Sequence, residues 1–112
     1  MKFPTGAKLP PEIDLGHDHW IMFTSWAPDR ALNPQYADLP DNDRIGGIIR
    51  HKKPDGSMCE GSIWFDCEVT RRVFAQHPRW TVESFDPLTC SPSFLCHCGD
   101  HGYIRQGKWV AA

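Results

Sequence analysis

The residues in this chain best suited to chemistry crowd into Cys96-His97-Cys98-Gly99-Asp100-His101-Gly102. Cys98 and His101 are separated by a two-residue spacer, which lets successive side chains of one tight turn reach a common tetrahedral ion. Glycine supplies the backbone angles such a turn requires. Cys98 and His101 make half of a metal site, so two more donors must come from elsewhere. The best source is the segment Arg44–Lys53, Pro54-Asp55-Gly56, Ser57–Asp66. Pro-Asp-Gly suits a type I turn followed by a left-handed glycine, the usual three-residue hairpin. In that register Ile45 faces Phe65, Gly47 faces Ile63, Ile49 faces Gly61 and His51 faces Cys59. One apolar face therefore ends, beside its turn, in a histidine and a cysteine.

The expected site is Cys98, His101, His51 and Cys59. Cys96 is the strongest substitute because Cys-x-Cys-x2-His holds three donors in six residues, and Cys90 is a weaker one. Mixed sulfur and nitrogen donors in a closed tetrahedron suit zinc, which needs no redox chemistry. Taken singly, Cys59, Cys67 and Cys90 read as small buried hydrophobes, and only the clustering favours ligands. His77 and His97 are set aside as non-ligands. His17-Asp18-His19 has the alternation that puts two imidazoles on one strand face, although no third ligand lies near it in sequence.

Two enzymatic arrangements compete with a structural metal. An open coordination position would hold water, with Asp100 or Glu60 as the base. Alternatively, Cys96 or Cys98 would act as a thiolate beside His101 or His97. The chain carries no H-E-x-x-H, phosphate-binding loop, G-x-S-x-G or deaminase-type pattern. A small domain that needs a metal to supplement a limited core explains the cluster with fewer assumptions.

The elements that must position these residues are short. At 112 residues the chain is one domain, and ten prolines with nine glycines favour turns and strands over long helices. The fold expected is all-β or β-rich, a small sandwich or open barrel with at most one short helix. Residues 1–18 read as an extended arm, and 19–112 as the metal-stabilised domain. His19 to Trp26 is a strand, and Asp29 to Asp43 a surface loop with strong turn signals at Asn33-Pro34 and Leu39-Pro40. Cys67 to Gln76 reads as a short helix with Asp66 as N-cap and Val69 and Val73 at i,i+4, or as a further strand through Cys67, Val69 and Arg71, the helix being slightly favoured; Trp80 to Phe85 reads as a strand. Ser91-Pro92-Ser93 is a bend, and Tyr103–Arg105 pairs with Lys108–Val110 so that Ile104 faces Trp109.

Net charge of −2 gives no general pull toward nucleic acid, which is disfavoured as a partner. A nucleic-acid module would need Arg50, Lys52, Lys53, Arg71, Arg72 and Arg105 on one face. No apolar run approaches the roughly 20 residues of a membrane span, and the start lacks the apolar core of a signal peptide. Five cysteines are an odd count, with Cys96 and Cys98 too close to bridge each other, so the expectation is a reducing compartment and not a disulfide framework.

The run Pro87-Leu-Thr-Cys-Ser-Pro-Ser-Phe-Leu95, followed by Cys98-x2-His101 and then Ile104-Arg-Gln-Gly-Lys-Trp109, resembles a family of small uncharacterised bacteriophage and prophage proteins. The resemblance covers about the last quarter of the chain. It implies phage origin and a metal site completed by an upstream Cys or His cluster. It assigns no reaction, and the chain lacks the paired Cys-x2-Cys of some members. The expected function is a zinc-binding accessory protein that contacts a host or virion protein. It would act in the host cytoplasm or with the virion, using Trp26, Asp29, Asp43 and Trp80 at its docking surface. A metal-dependent hydrolase and a nucleic-acid-binding module are the alternatives.

Overall fold

Alternation of apolar and polar residues, broken at turn signals, divides the chain into short antiparallel strands. The computed structural model describes residues 12–112. These hold β1 (Ile13–Gly16), β2 (His19–Trp26), β3 (Asn42–Lys52), β4 (Met58–Trp64), α1 (Glu68–Val73), β5 (Thr81–Phe85), β6 (Leu88–Leu95), β7 (His101–Arg105) and β8 (Lys108–Ala111). The strands form two four-stranded antiparallel sheets, β1-β2-β3-β4 and β5-β6-β7-β8, joined through α1. This is a β sandwich, and no barrel closes. No helix among the described residues is long and apolar enough to cross a membrane.

Both sheets turn one face inward. Leu15, Ile21, Ile49, Ile63 and Phe65 from the first side pack with Val82, Leu88, Cys90, Phe94, Ile104 and Trp109 from the second in a single core cluster. A smaller cluster of Ile45, Cys67 and Val69 lies beneath α1 with Trp64 and Phe74.

The Pro-Asp-Gly hairpin has the register its sequence predicts, with Gly47 opposite Ile63, Ile49 opposite Gly61 and His51 opposite Cys59. Ile45 accepts a backbone hydrogen bond from Phe65 N–H at 2.8 Å. The turn holds because Asp55 accepts from the Ser57 N–H at 2.9 Å, while Gly56 takes φ +89°. The C-terminal hairpin likewise sets Ile104 opposite Trp109. Gly61 is a close-approach position: a Cβ there would lie 2.7 Å from Cζ of Phe94 in the facing sheet. Phe94 is buried against Trp80 and Trp109 and has little room to retreat. Gly61→Ala should therefore cost about 1–3 kcal/mol by overpacking, readable as a lower urea midpoint with an unchanged slope.

Several boundaries differ from the sequence expectation. Residues 13–16 of the expected arm form β1, paired with β2, while residues 1–11 lie outside the described residues. The α1 N-cap is Cys67 in place of Asp66, because Thr70 Oγ1 accepts the Cys67 N–H at 3.1 Å and the Asp66 carboxylate is taken by Arg71. Ser91-Pro92-Ser93 lies inside β6, where pairing with β7 is interrupted between Cys90 and Phe94. A proline without an N–H cannot serve that ladder, so the interruption falls where the sequence placed a bend.

Candidate metal centre

Two local structures, one from each sheet, meet at one end of the sandwich. The first is the end of the β3–β4 hairpin. Because alternate residues share a face, the positions that carry Ile49 and Gly61 toward the core carry His51 and Cys59 to its margin. The second is the β6–β7 turn, in which Cys96 N–H donates to Asp100 O at 2.8 Å and Gly99 N–H donates to Cys96 O at 2.8 Å. Gly99 has φ +99°, a conformation with little cost only for glycine.

This arrangement brings one donor atom each of His51, Cys59, Cys96 and Cys98 within 4.8 Å of one another. Cys59 Sγ lies 3.7 Å from Cys96 Sγ, and Cys98 Sγ lies 3.4 Å from His51 Nε2. Metal–sulfur bonds of about 2.3 Å and metal–nitrogen bonds of about 2.0–2.1 Å give tetrahedral edges of about 3.8 Å and about 3.6 Å for those pairs. The four donors are thus a cluster able to hold a metal ion. His51 and Cys96 are 3% and 2% exposed, Cys59 is half-buried, and Cys98 faces solvent.

His101 stands apart from this group, and Cys96 takes the place expected for it. Leu95 and His101 are register partners on the outer face of the second sheet, where Leu95 is 64% exposed and His101 Nε2 bonds to Ser93 Oγ at 2.8 Å. One residue after Leu95 the alternation turns Cys96 inward. His97, set aside by the sequence reading, is exposed beside the cluster, with Nε2 3.6 Å from Cys59 Sγ and Nδ1 3.7 Å from Cys96 Sγ. Cys90 remains in the core, and His77 is exposed, edge-on to Trp64 and Phe74.

The second observation at this end was hidden from local sequence patterns. β2 pairs with β3 so that His19 lies opposite His51, extending the row His19, His51, Cys59 across three strands. His19 is buried, stacked on Trp109 at 4.1 Å and parallel to His51 at 5.1 Å. Its Nε2 meets Asp100 Oδ2 at 2.7 Å, and the same carboxylate oxygen is 3.9 Å from His51 Nδ1. The His17-x-His19 pair is split, because His17 sits in an exposed turn at φ 53° and offers only its carbonyl to His19. The signal available in sequence was the shared alternation of His19, Ile21, Phe23 with His51, Ile49, Gly47. Of the two carboxylates considered as bases, Asp100 adjoins the cluster, whereas Glu60 lies exposed on the outer face opposite Arg50.

The electrostatics divide the thiols. Burial, followed by the neighbouring Cys96 and Cys98 thiols, pushes Cys59 up to about 11. Hydrogen bonding from the Asp100 backbone N–H holds Cys98 below its ordinary value. Burial lowers His51, which therefore offers a neutral imidazole at physiological pH. Burial also pushes Cys90 up to about 11, inside the core. Metal-free protein treated with iodoacetamide near neutral pH should consequently be alkylated first at Cys98 and last at Cys90, as read by peptide mass spectrometry. Rapid Cys90 labelling under native conditions would contradict this burial pattern.

The residues expected at a docking surface are spread over the first side of the sandwich and its connections. Trp26 is half-buried, with Arg30 over its ring at 5.4 Å and Tyr36 edge-on at 5.7 Å. Asp29 is exposed, Asp43 is half-buried, and Trp80 is half-buried with its indole N–H donated to Ser93 O at 3.3 Å. Among the basic residues, Arg50 pairs with Glu12, Arg71 with Asp66 and Arg72 with Asp38. Comparison of the chain with protein-family models, with curated proteins and with solved structures found no match.

Proposed function

We propose that the chain is a zinc-stapled β sandwich that acts by binding another protein, as a phage accessory protein directed at a host or virion partner. The observation that carries the metal reading is the agreement of the Cys59–Cys96 and Cys98–His51 distances with the edges of a sulfur–nitrogen tetrahedron. Three thiols and one imidazole fill four positions. That favours zinc in a closed, structural role over a hydrolytic one. The staple would join a hairpin of one sheet to a turn of the other, which a small sandwich can use to supplement its core.

The binding reading is supported by the loop expected over Asp29 to Asp43, which ends at residue 41 because Asn42 and Asp43 open β3. It is fastened to the body by buried Leu39 and by Arg72 of α1, bonded to Asp38 and the Gln35 carbonyl, and it is braced internally by Arg30 bonded to Asp41 and the Leu39 carbonyl. On this anchored loop Leu32 is 79% exposed. A well-held loop presenting an apolar side chain loses little entropy on docking. Phage origin rests on the resemblance carried by the motifs between Pro87 and Trp109.

The test has two stages. Protein purified without added metal should contain about one zinc per chain and should unfold when the zinc is chelated; metal that leaves with the fold intact would turn the reading toward a hydrolase. A photo-crosslinking residue at position 29, in cells where the phage genes are expressed, should then yield a discrete adduct that Leu32→Asp abolishes at unchanged metal content and melting temperature. No adduct, or an adduct indifferent to Leu32→Asp, would remove the loop from consideration.

A further inference from the structure

The geometry points to a second cation site beside the first, formed by His19 Nε2, Asp100 Oδ2 and His51 Nδ1. Its starting point is the hydrogen-bond inventory of His19. Nδ1 lies 2.6 Å from the His17 carbonyl oxygen, which can only accept, so Nδ1 carries a proton. A neutral imidazole then turns its Nε2 lone pair onto the Asp100 carboxylate oxygen 2.7 Å away. Two acceptors in contact need a cation between them, either a second proton or a metal ion.

The third donor favours the metal. His51 Nδ1 is 3.9 Å from the same Asp100 oxygen, too far for a hydrogen bond. Donors bound about 2.0–2.2 Å from one ion are separated by about 3–4 Å, which His51 Nδ1 and Asp100 Oδ2 meet, while His19 Nε2 and Asp100 Oδ2 must open from 2.7 Å as the ion enters; all three atoms fall within 4.8 Å of one another. Charge points the same way. Three thiolates around a divalent ion leave one net negative charge, and the Asp100 carboxylate adds another. A bare proton on His19 compensates one of these, whereas a second divalent ion compensates both, leaving only the single negative charge His51 acquires when it gives up its Nδ1 proton.

The three donors are reachable from solvent. A cleft of about 330 Å³ is lined by His17, His19, Asp100 and Trp109, and another of about 200 Å³ by His51, Lys52, Lys53, Cys98 and Asp100. Two nitrogens and one oxygen suit a borderline divalent ion such as zinc or copper(II), and three protein donors leave a position for water or an exogenous oxygen ligand. His51 bridges the two ions, Nε2 toward the thiolate site and Nδ1 toward the new one, releasing its Nδ1 proton to solvent on loading. The bridge rests on the proposed thiolate site, while the His19–Asp100 pair does not.

The experiment is metal titration of the chelator-stripped, refolded full chain, first with zinc and then with cobalt(II). The native protein should bind two equivalents, only one of which gives a thiolate-to-cobalt charge-transfer band. His19→Gln and Asp100→Asn should each lose one equivalent and keep that band, with near-ultraviolet circular dichroism confirming the fold. A single equivalent in native protein, or two that survive both substitutions, overturns the inference and assigns the position to a proton shared by His19 and Asp100. The thiolate reading fails differently: the charge-transfer band is absent, whatever His19→Gln does to the remaining stoichiometry.

Discussion

Cys96→Ser should abolish stoichiometric metal binding at the thiolate site and destabilise the protein by more than about 4 kcal/mol, whereas His101→Ala should leave metal content and melting temperature nearly unchanged. The two positions are only five apart, and the Cys98-x2-His101 spacing alone would predict the reverse order of importance. Cys96 points inward, 3.7 Å from Cys59 Sγ, while His101 bonds to Ser93 on the outer face. Structural zinc sites contribute on the order of 10 kcal/mol of apparent binding energy near neutral pH, comparable with the whole net stability of a domain this size. Serine keeps the volume but offers a poor ligand, so the loss reflects coordination and not packing. Metal content by elemental analysis, with thermal melts of both variants, decides the matter. Equal effects, or a larger one at His101, would place the fourth ligand wrongly.

The same site should weaken in acid. Metal must displace the proton of Cys59, whose thiol is already raised to about 11, and any proton on His51, so affinity should fall as pH falls. The Cys59 shift gives the opposite dependence to the metal-free fold. A thiol raised in the folded state contributes stability that is complete below its unfolded value near 9 and is lost as pH rises toward about 11. Cys90 contributes in the same window for the same reason, burial.

Trp109→Ala should lower stability by about 3–5 kcal/mol, the largest loss expected from a single core truncation here. Trp109 is 3% exposed, lies edge-on to Phe94 and fills the space above Gly102, where a Cβ would come within 2.5 Å of the indole. Its ring also forms one wall for His19, stacked at 4.1 Å. The truncation thus opens a cavity in the sandwich and frees the imidazole that contacts Asp100. Chemical denaturation with the metal bound measures the loss. A value below about 1.5 kcal/mol would mean that the two sheets close over the vacancy, and that Trp109 does not brace that end of the core.

The parts of this fold that were legible in sequence are those governed by neighbours in the chain. Pro54-Asp55-Gly56 admits few turns, and the alternation on either side permits one register without exposing Ile49 and Ile63. That placed His51 opposite Cys59. The same reasoning aligned Ile104 with Trp109 across Gln106-Gly107. Local preference was less informative at Asp66, where Arg71 captured the carboxylate and left Cys67 and Thr70 to cap α1. It was also incomplete at residues 13–16, whose strand identity comes from pairing with β2 across a two-residue turn.

The sequence by itself determined a β-rich domain, the hairpin register and the inventory of thiol and imidazole donors. Those depend on period-two alternation and on turn chemistry, both readable within a few residues. The tertiary structure decided which donors meet. The pairing of Leu95 with His101 turned both outward and Cys96 inward, and the β2–β3 register carried His19 to His51 across a long loop. The folding of one sheet over the other then set Asp100 against an imidazole 81 residues away. A spacing motif records how far apart ligands are along the chain, but the face each one occupies follows from the strand it pairs with. At this site that partner lies beyond the reach of any local pattern.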